Sequence, residues 1–248
     1  KKLKKIGIVT GIGKGLGLKL TKDLLNSGFH VIGINRSIPN ELSNLKKFNS
    51  FEFYKCDISN FSGIKKIIDR VFKKYKKIDY LVNNAGIRAR SSLQDADIKR
   101  YEEVLKINTL GPINISKQIL DKIYLNSKTK QKFKIINISS IVGVRGFKDL
   151  SIYSCSKAAL DSFTKSISLE YAERGLVINS VAPGFVKTSY YKKFITNKKL
   201  YKWTLDNIPM KRWGEESEIV ELLLFLINSN TSYMNGSVIT IDGGWTAK

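Results

Sequence analysis

Histidine occurs once, cysteine twice and proline four times in these 248 residues. Each shortage closes off a class of function. Cys56 and Cys155 are too few for a disulfide framework and are not spaced as metal ligands. His30 stands alone where a strand is expected to start, so no metal centre of the His/Cys kind is expected. The most apolar stretch, residues 220–227, is much too short to span a bilayer. No Pro/Gly/Ser-rich tract marks a linker, and the length is ample for one core and short for two. One domain over residues 1–248 is the expectation. The Lys-rich start leads directly into a strand and a glycine loop rather than a signal peptide, so the expected location is cytoplasmic.

Acidic residues are also scarce, with 21 Asp+Glu against 43 Lys+Arg and a formal charge of +22. Such a field attracts anions, including nucleic acid, an anionic membrane or an acidic carrier protein. Arginine, the usual residue for bidentate phosphate and base contacts, supplies only eight of the 43 cations. The lysines lie along the whole chain in pairs such as Lys46-Lys47, Lys65-Lys66, Lys76-Lys77 and Lys198-Lys199. No RNA- or DNA-binding motif accompanies them. The excess reads as solvated faces, with no nucleic acid and no membrane among the expected partners.

What the chain has in abundance is alternation. Apolar runs predict strands at Ile6–Thr10, Val31–Asn35, Phe51–Cys56, Ile78–Asn83, Phe133–Ser139, Val177–Ala182 and Ser237–Ile241. Helical spacing predicts helices over 16–26, 62–75, 95–107, 111–124, 151–172 and 216–227, and Gly28 stops the first. The segment 183–213 reads as irregular or short-helical. Strands alternating with helices imply parallel pairing through right-handed crossovers, with helices on both faces. The expected fold class is therefore α/β, a single Rossmann-type doubly wound domain with a mainly parallel seven-stranded sheet. Ligands bind such sheets beyond the carboxyl ends of the strands, and the motifs below all fall there.

The first turn reads Thr10-Gly11-Ile12-Gly13-Lys14-Gly15-Leu16-Gly17. It lacks the strict G-x-G-x-x-G spacing, yet its glycines permit a sharp turn and close approach to a pyrophosphate. The following helix offers unpaired N–H groups. Tyr153 and Lys157 lie four apart on a predicted helix, so they share a face. A nearby ammonium favours the phenolate and lowers a pKa otherwise near ~10, which suits general acid–base work.

Thr-Gly-x-x-x-Gly-x-Gly, Asp57 after the third strand, Asn83-Asn84-Ala85-Gly86 after the fourth, Tyr153-x-x-x-Lys157, Pro183-Gly184 and Asp242-Gly243-Gly244 occur in order. In this order the chain resembles the short-chain dehydrogenase/reductase family over essentially its whole length. The resemblance implies hydride transfer between a nicotinamide cofactor and a ketone or secondary alcohol. It implies that Ser140, 13 residues before Tyr153, polarises the substrate oxygen, where Ser139 does not match. Asn108 would hold a water near Lys157, and Lys157 the nicotinamide ribose. Thr10, Gly11, Gly13, Lys14, Gly15 and Leu16 would form the pyrophosphate loop. Asp57 would bond the adenine amino group, or else cap the next helix. Ile58 would pack on the adenine, with Asn84, Ala85 and Gly86 framing the ribose. Val186 and Thr188, after Pro183 and Gly184, would contact the carboxamide.

An acidic residue after the second strand holds a ribose 2′-OH, and a cation a 2′-phosphate. Here stand Asn35 and Arg36, with no acid until Glu41, and Lys14 adds a second charge. The expected cofactor is NADP(H) rather than NAD(H). Residues 185–213 resemble a substrate lid carrying Tyr190, Tyr191, Phe194, Tyr201 and Trp203, most of which are expected simply to pack. Arg88, Arg90 and Arg145 are placed to face the pocket mouth and to favour an anionic small-molecule substrate. The resemblance extends to two groups, 3-oxoacyl-acyl-carrier-protein reductases with an acidic carrier, and sugar, sugar-acid and polyol dehydrogenases, whose C-termini are similar to Asp242–Thr246. An NAD(H)-dependent polyol or sugar dehydrogenase is the alternative enzyme; a cofactor-binding scaffold or nucleic-acid binder is the alternative outside catalysis. The helices at 111–124 and 151–172 match those that pair in homotetramers of the family, although Leu160, Phe163 and Ile167 equally suit an internal core.

Overall fold

A computed structural model describes residues 5–125, 130–188 and 191–247. Seven strands, β1 (Ile6–Thr10), β2 (His30–Asn35), β3 (Phe51–Lys55), β4 (Tyr80–Asn83), β5 (Phe133–Ile138), β6 (Leu176–Pro183) and β7 (Val238–Ile241), form one sheet. Their spatial order is β3-β2-β1-β4-β5-β6-β7 and every pair is parallel. The order reverses between β1 and β4, and a crevice opens beyond the carboxyl ends of those strands. The connecting helices are α1 (Gly15–Asn26), α2 (Leu42–Leu45), α3 (Phe61–Tyr75), α4 (Ile98–Leu105), α5 (Gly111–Tyr124), α6 (Ile141–Val144), α7 (Ser151–Tyr171), α8 (Tyr191–Ile195), α9 (Lys198–Asn207) and α10 (Glu216–Asn228).

Strand side chains alternate between faces, so each strand feeds two cores. Ile8, Ile32, Leu81, Ile135 and Ile178 enter one, under Ile64 and Ile68 of α3 and Ile115 and Ile119 of α5. Val9, Val31, Val82, Ile136 and Val181 enter the other, under Leu20 and Leu24 of α1 and Ile219, Val220 and Leu223 of α10. Burying one such side chain contributes roughly 1.5–3 kcal/mol, which is why runs apolar on both sides form central strands and one-sided periodicity forms their covers. α3 illustrates the local logic. The Asn60 side chain accepts from Gly63 N at 3.0 Å to start it, and Ile64, Ile68 and Val71 form its buried stripe. Lys76, in the left-handed region at φ 63°, ends it.

Two departures from the sequence reading bear on function. The helices expected over 95–107 and 111–124 are one continuous rod, begun by the Asp97 side chain accepting from Lys99 N at 3.0 Å. They are joined by a π-helical turn at Lys106–Leu110. The extra residue in that turn carries Asn108 inward until it is fully buried, the usual setting of such turns. The segment after β6 folds around a third apolar cluster built on Phe194, Ile208, Trp213 and Trp245. Tyr191 and Tyr201 pack against Trp213, with ring centroids at 5.0 and 6.1 Å, as expected of most lid aromatics; Tyr190 lies outside the described residues. Leu160 is buried, and Phe163 and Ile167, partly buried, pack against the first core.

Candidate active site

The glycine loop takes its shape from one anchor. Ile12 is fully buried, with its Cδ1 2.4 Å from where a Cβ on Gly33 would stand. Only a glycine in β2 leaves room for it. The N-terminus of α1 has no side-chain cap, so its first N–H groups face the cleft. Gly17 lets that helix approach the loop, because a Cβ there would lie 2.3 Å from Gly11 O and 2.4 Å from Asn84 Nδ2.

The cleft beyond β1, β2 and β4 encloses about 690 Å³. Gly11, Gly13, Lys14, Gly15 and Leu16 line it at the loop, Asn35 and Arg36 at the end of β2. Asp57, Ile58, Asn84, Ala85, Gly86 and Thr188 complete the anticipated wall. Glu41 is turned away onto Lys22 at 3.0 Å and Asn44 at 3.1 Å, which leaves the β2 end to Lys14 and Arg36. A basic end, a backbone cradle that side chains would fill and an apolar shelf at Ile58 fit a dinucleotide.

Several anticipated residues work behind the wall. Thr10 Oγ1 accepts from the N–H groups of Asn84 and Ala85, both at 3.0 Å, and Asn84 Nδ2 donates to Thr10 O and Gly11 O, both at 3.0 Å. These bonds tie the ends of β1 and β4 together. Asp57 caps no helix; its Oδ1 accepts from Ser59 N at 2.9 Å and Ser59 Oγ at 2.7 Å, and Asn60 caps α3. Pro183 ends β6 beside Ile241. Gly184 sits where a Cβ would come within 2.7 Å of Asp242, and Val186 bridges to Gly214. Ser37, Asn40, Cys56 and Ile107 also line the cleft. The sequence reading missed them, although Ser37, directly after Arg36, was a readable signal.

Tyr153, Lys157, Ser140 and Asn108 come together from α7, the β5–α6 junction and the π turn. The Ser140 hydroxyl lies beside the Tyr153 phenol and favours its ionised form, whereas the Ser139 hydroxyl points inward and donates to Asp161 Oδ2 at 2.9 Å. Lys157 is 4% exposed. It donates to Ile138 O at 2.7 Å and lies 5.9 Å from the Tyr153 ring centroid. Burial pulls its pKa down to about 8, opposed by the charge of Asp161 one helical turn on. Burial pushes the Tyr153 phenol up, opposed by the Arg88 guanidinium and the nearby Ser140 hydroxyl. Two cations therefore flank the phenol, Arg88 and the expected Lys157, each 5.9 Å from its ring. Asn108 is a clamp: Oδ1 accepts from Ile87 N at 2.8 Å, and Nδ2 donates to Ile87 O at 2.8 Å and Ser156 Oγ at 3.1 Å. Both amide hydrogens are committed to protein.

A second cavity of about 610 Å³ is lined by Arg88, the residue after Ile87 of the first. Arg88, Arg90 and Arg145 all line it, with Phe147, Phe185, Trp203 and Trp245. Arg90 also stands 3.8 Å from Asp149. Among the described residues, no group of three or more His, Cys, Asp or Glu could hold a metal ion, and no helix is long and apolar enough to cross a membrane.

A parallel sheet reversing beside a glycine loop, with a Ser–Tyr–Lys cluster at the crevice, is the architecture of a dinucleotide-dependent oxidoreductase. The family model described as enoyl-(acyl carrier protein) reductase matches residues 11–246, and the chain belongs to the short-chain dehydrogenase/reductase family. It is 35% identical over 246 residues to the 3-oxoacyl-(acyl-carrier-protein) reductase FabG of Buchnera aphidicola subsp. Baizongia pistaciae, covering 98% of both chains. It is 31% identical over 249 residues to the 2-dehydro-3-deoxy-D-gluconate 5-dehydrogenase of Bacillus subtilis, covering 98% of this chain and 95% of the relative. Among solved structures, 4-hydroxyisoleucine dehydrogenase complexed with NADH superposes with TM-score 0.92 at 28% identity, over 99% of this chain and 100% of that one. ElxO with NADP bound superposes with TM-score 0.90 at 28% identity, over the same shares. The protein is an enzyme, an NAD(P)-dependent dehydrogenase or reductase of CH–OH groups.

Proposed function

We propose that the enzyme is NADP(H)-dependent and interconverts a ketone and a secondary alcohol on a 3-oxoacyl thioester or a sugar acid. The observation that carries this reading is Tyr153 beside Ser140 and flanked by Lys157 and by Arg88, which lines the second cavity directly after Ile87 of the nucleotide cleft. When bound, the nicotinamide supplies or accepts the hydride. Tyr153 gives the substrate oxygen a proton in reduction and takes it back in oxidation. Ser140 donates to the same oxygen and stabilises the charge that develops there. Lys157, with its pKa near about 8, is mostly charged at neutral pH and close to exchanging its proton; it would also hold the nicotinamide ribose. Asn108 fixes the Ile87 peptide between Gly86 and Arg88, and so sets both cavities.

The NADP(H) preference rests on Lys14 and Arg36 sharing one end of the cleft with Glu41 turned away. Residues 185–213 serve as the substrate lid, and an acidic carrier would suit the +22 charge. The homotetramer implied by the family is checked by light scattering. Steady-state kinetics test the whole reading: higher kcat/KM with NADPH than NADH, reversed by Arg36→Asp. Tyr153→Phe should cut turnover by roughly 10²–10⁴-fold while nucleotide fluorescence still reports binding. Wild-type kcat in that variant, or an unchanged preference in Arg36→Asp, defeats the corresponding half.

A further inference from the structure

The second cavity has a composition that neither group of relatives explains by name. Among the described residues, five cations line it, Arg88, Arg90, Arg145, Lys148 and Lys199, and no carboxylate does. Asn197 is the one uncharged polar side chain among its described lining residues. The rest of the wall is apolar and organised around Trp245, which stacks on Phe147 at 5.7 Å and meets Phe185 at 5.0 Å and Trp203 at 5.5 Å. Asp242 holds Trp245 there, accepting from Gly244 N at 2.9 Å and from Thr246 N and Oγ1 at 2.9 and 2.7 Å. The C-terminal motif shared with sugar dehydrogenases thus spends its carboxylate on its own turn and gives the cavity an aromatic floor.

A polyhydroxylated body buried here would leave most of its hydroxyls without acceptors, and each unpaired polar group is costly. An apolar body loses nothing against such a wall, and its anionic end finds guanidinium. The five cations are not equivalent. Arg90 already faces Asp149 at 3.8 Å, and Arg145 and Lys148 are exposed and screened by water. Arg88 is half-buried. Its neighbour Ile87 is held by Asn108 through two bonds of 2.8 Å, and its guanidinium lies 5.9 Å from the ring of Tyr153. A charge contact made there is short of water and close to the reacting oxygen.

We propose that the substrate is an oxo acid with an apolar body and an anionic end, carboxylate or phosphate, and that Arg88 is the residue that selects it. This rests on Tyr153 being the proton donor. In the step, the carbonyl carbon receives a hydride from a reduced nicotinamide nucleotide and the oxygen a proton from Tyr153, replaced from solvent. The products are a hydroxy acid and the oxidised nucleotide.

The test compares kcat/KM for a medium-chain oxo acid, its methyl ester, its coenzyme A thioester and a keto-sugar acid, in wild type and in Arg88→Gln and Arg88→Lys. The acid should exceed its ester by about 10- to 100-fold, chiefly through KM, the range for one charge-assisted contact. That ratio should collapse in Arg88→Gln and recover in part in Arg88→Lys. Because the ratio is read within each variant, any effect of Arg88 on Tyr153 cancels. If the thioester alone is turned over and loses its advantage in Arg88→Gln, the anion is its phosphate and the proposal stands. Equal rates on acid and ester, or a keto-sugar acid as the best substrate, overturn it. If the ester is reduced and Tyr153→Phe stops that reduction, the proton-donor reading survives such an overturn. If no carbonyl compound reacts, both fall.

Discussion

Lys157→Met tests the electrostatics of the site through stability as well as rate. The ammonium is 4% exposed, and burial holds its pKa at about 8 against an ordinary 10.5. At about 1.4 kcal/mol per unit, keeping it charged costs the folded state about 3 kcal/mol at neutral pH. Methionine has a similar unbranched shape and no charge, so the substitution removes that cost. It also leaves the Ile138 carbonyl without its donor at 2.7 Å, a loss of about 1–3 kcal/mol. The variant should therefore match wild type or exceed it by up to about 2 kcal/mol at neutral pH, although turnover is lost. The pH dependence follows from linkage. Between about 8 and 10.5 the unfolded lysine still carries its proton and the folded one does not. Wild-type stability contributed by this group therefore rises with pH through that window. The variant has no such group, so its advantage must shrink above about pH 8 and reverse near pH 10. Urea unfolding followed by tryptophan fluorescence at several pH values measures this. A variant destabilised by more than about 2 kcal/mol at neutral pH, or a gap that does not narrow on the alkaline side, refutes the reasoning.

Asn108→Ala removes three buried hydrogen bonds, to Ile87 N, Ile87 O and Ser156 Oγ. It should cost about 2–4 kcal/mol in urea unfolding; a loss under about 0.5 kcal/mol, within the range of neutral surface changes, would mean the clamp is not formed. Gly17→Ala would place a Cβ 2.3 Å from Gly11 O, so the helix must shift. Calorimetry should show nucleotide affinity weakened at least about tenfold, or roughly 1.4 kcal/mol, and unchanged affinity would disprove the close approach.

The element order was legible because burial on two faces and burial on one leave different periodicities, and most strands and helices lie where those patterns put them. The placement of the glycine loop at the cleft, and of Tyr153 and Lys157 on one helix, was also legible, while Ser140 was set apart from Ser139 only by resemblance to the family. The helix joining residues 98–124 was not, because a π turn differs from a helix end only in where its hydrogen bonds go. Nor was Asp161, although its spacing from Lys157 is helical. Its burial depends on Ser139 arriving from another element.

Local pattern, then, determined the class of protein, because strands, helices and tight turns are set by neighbours a few residues apart. Tertiary structure alone decided that a second cation flanks the phenol, since Arg88 and Tyr153 meet only when the segment after β4 packs on α7. It also decided that Asp242 serves its own turn, that Trp245 floors a cavity, and that Asn108 grips a peptide. Burial and electrostatic coupling depend on distance in space, and that distance has no counterpart in residue order.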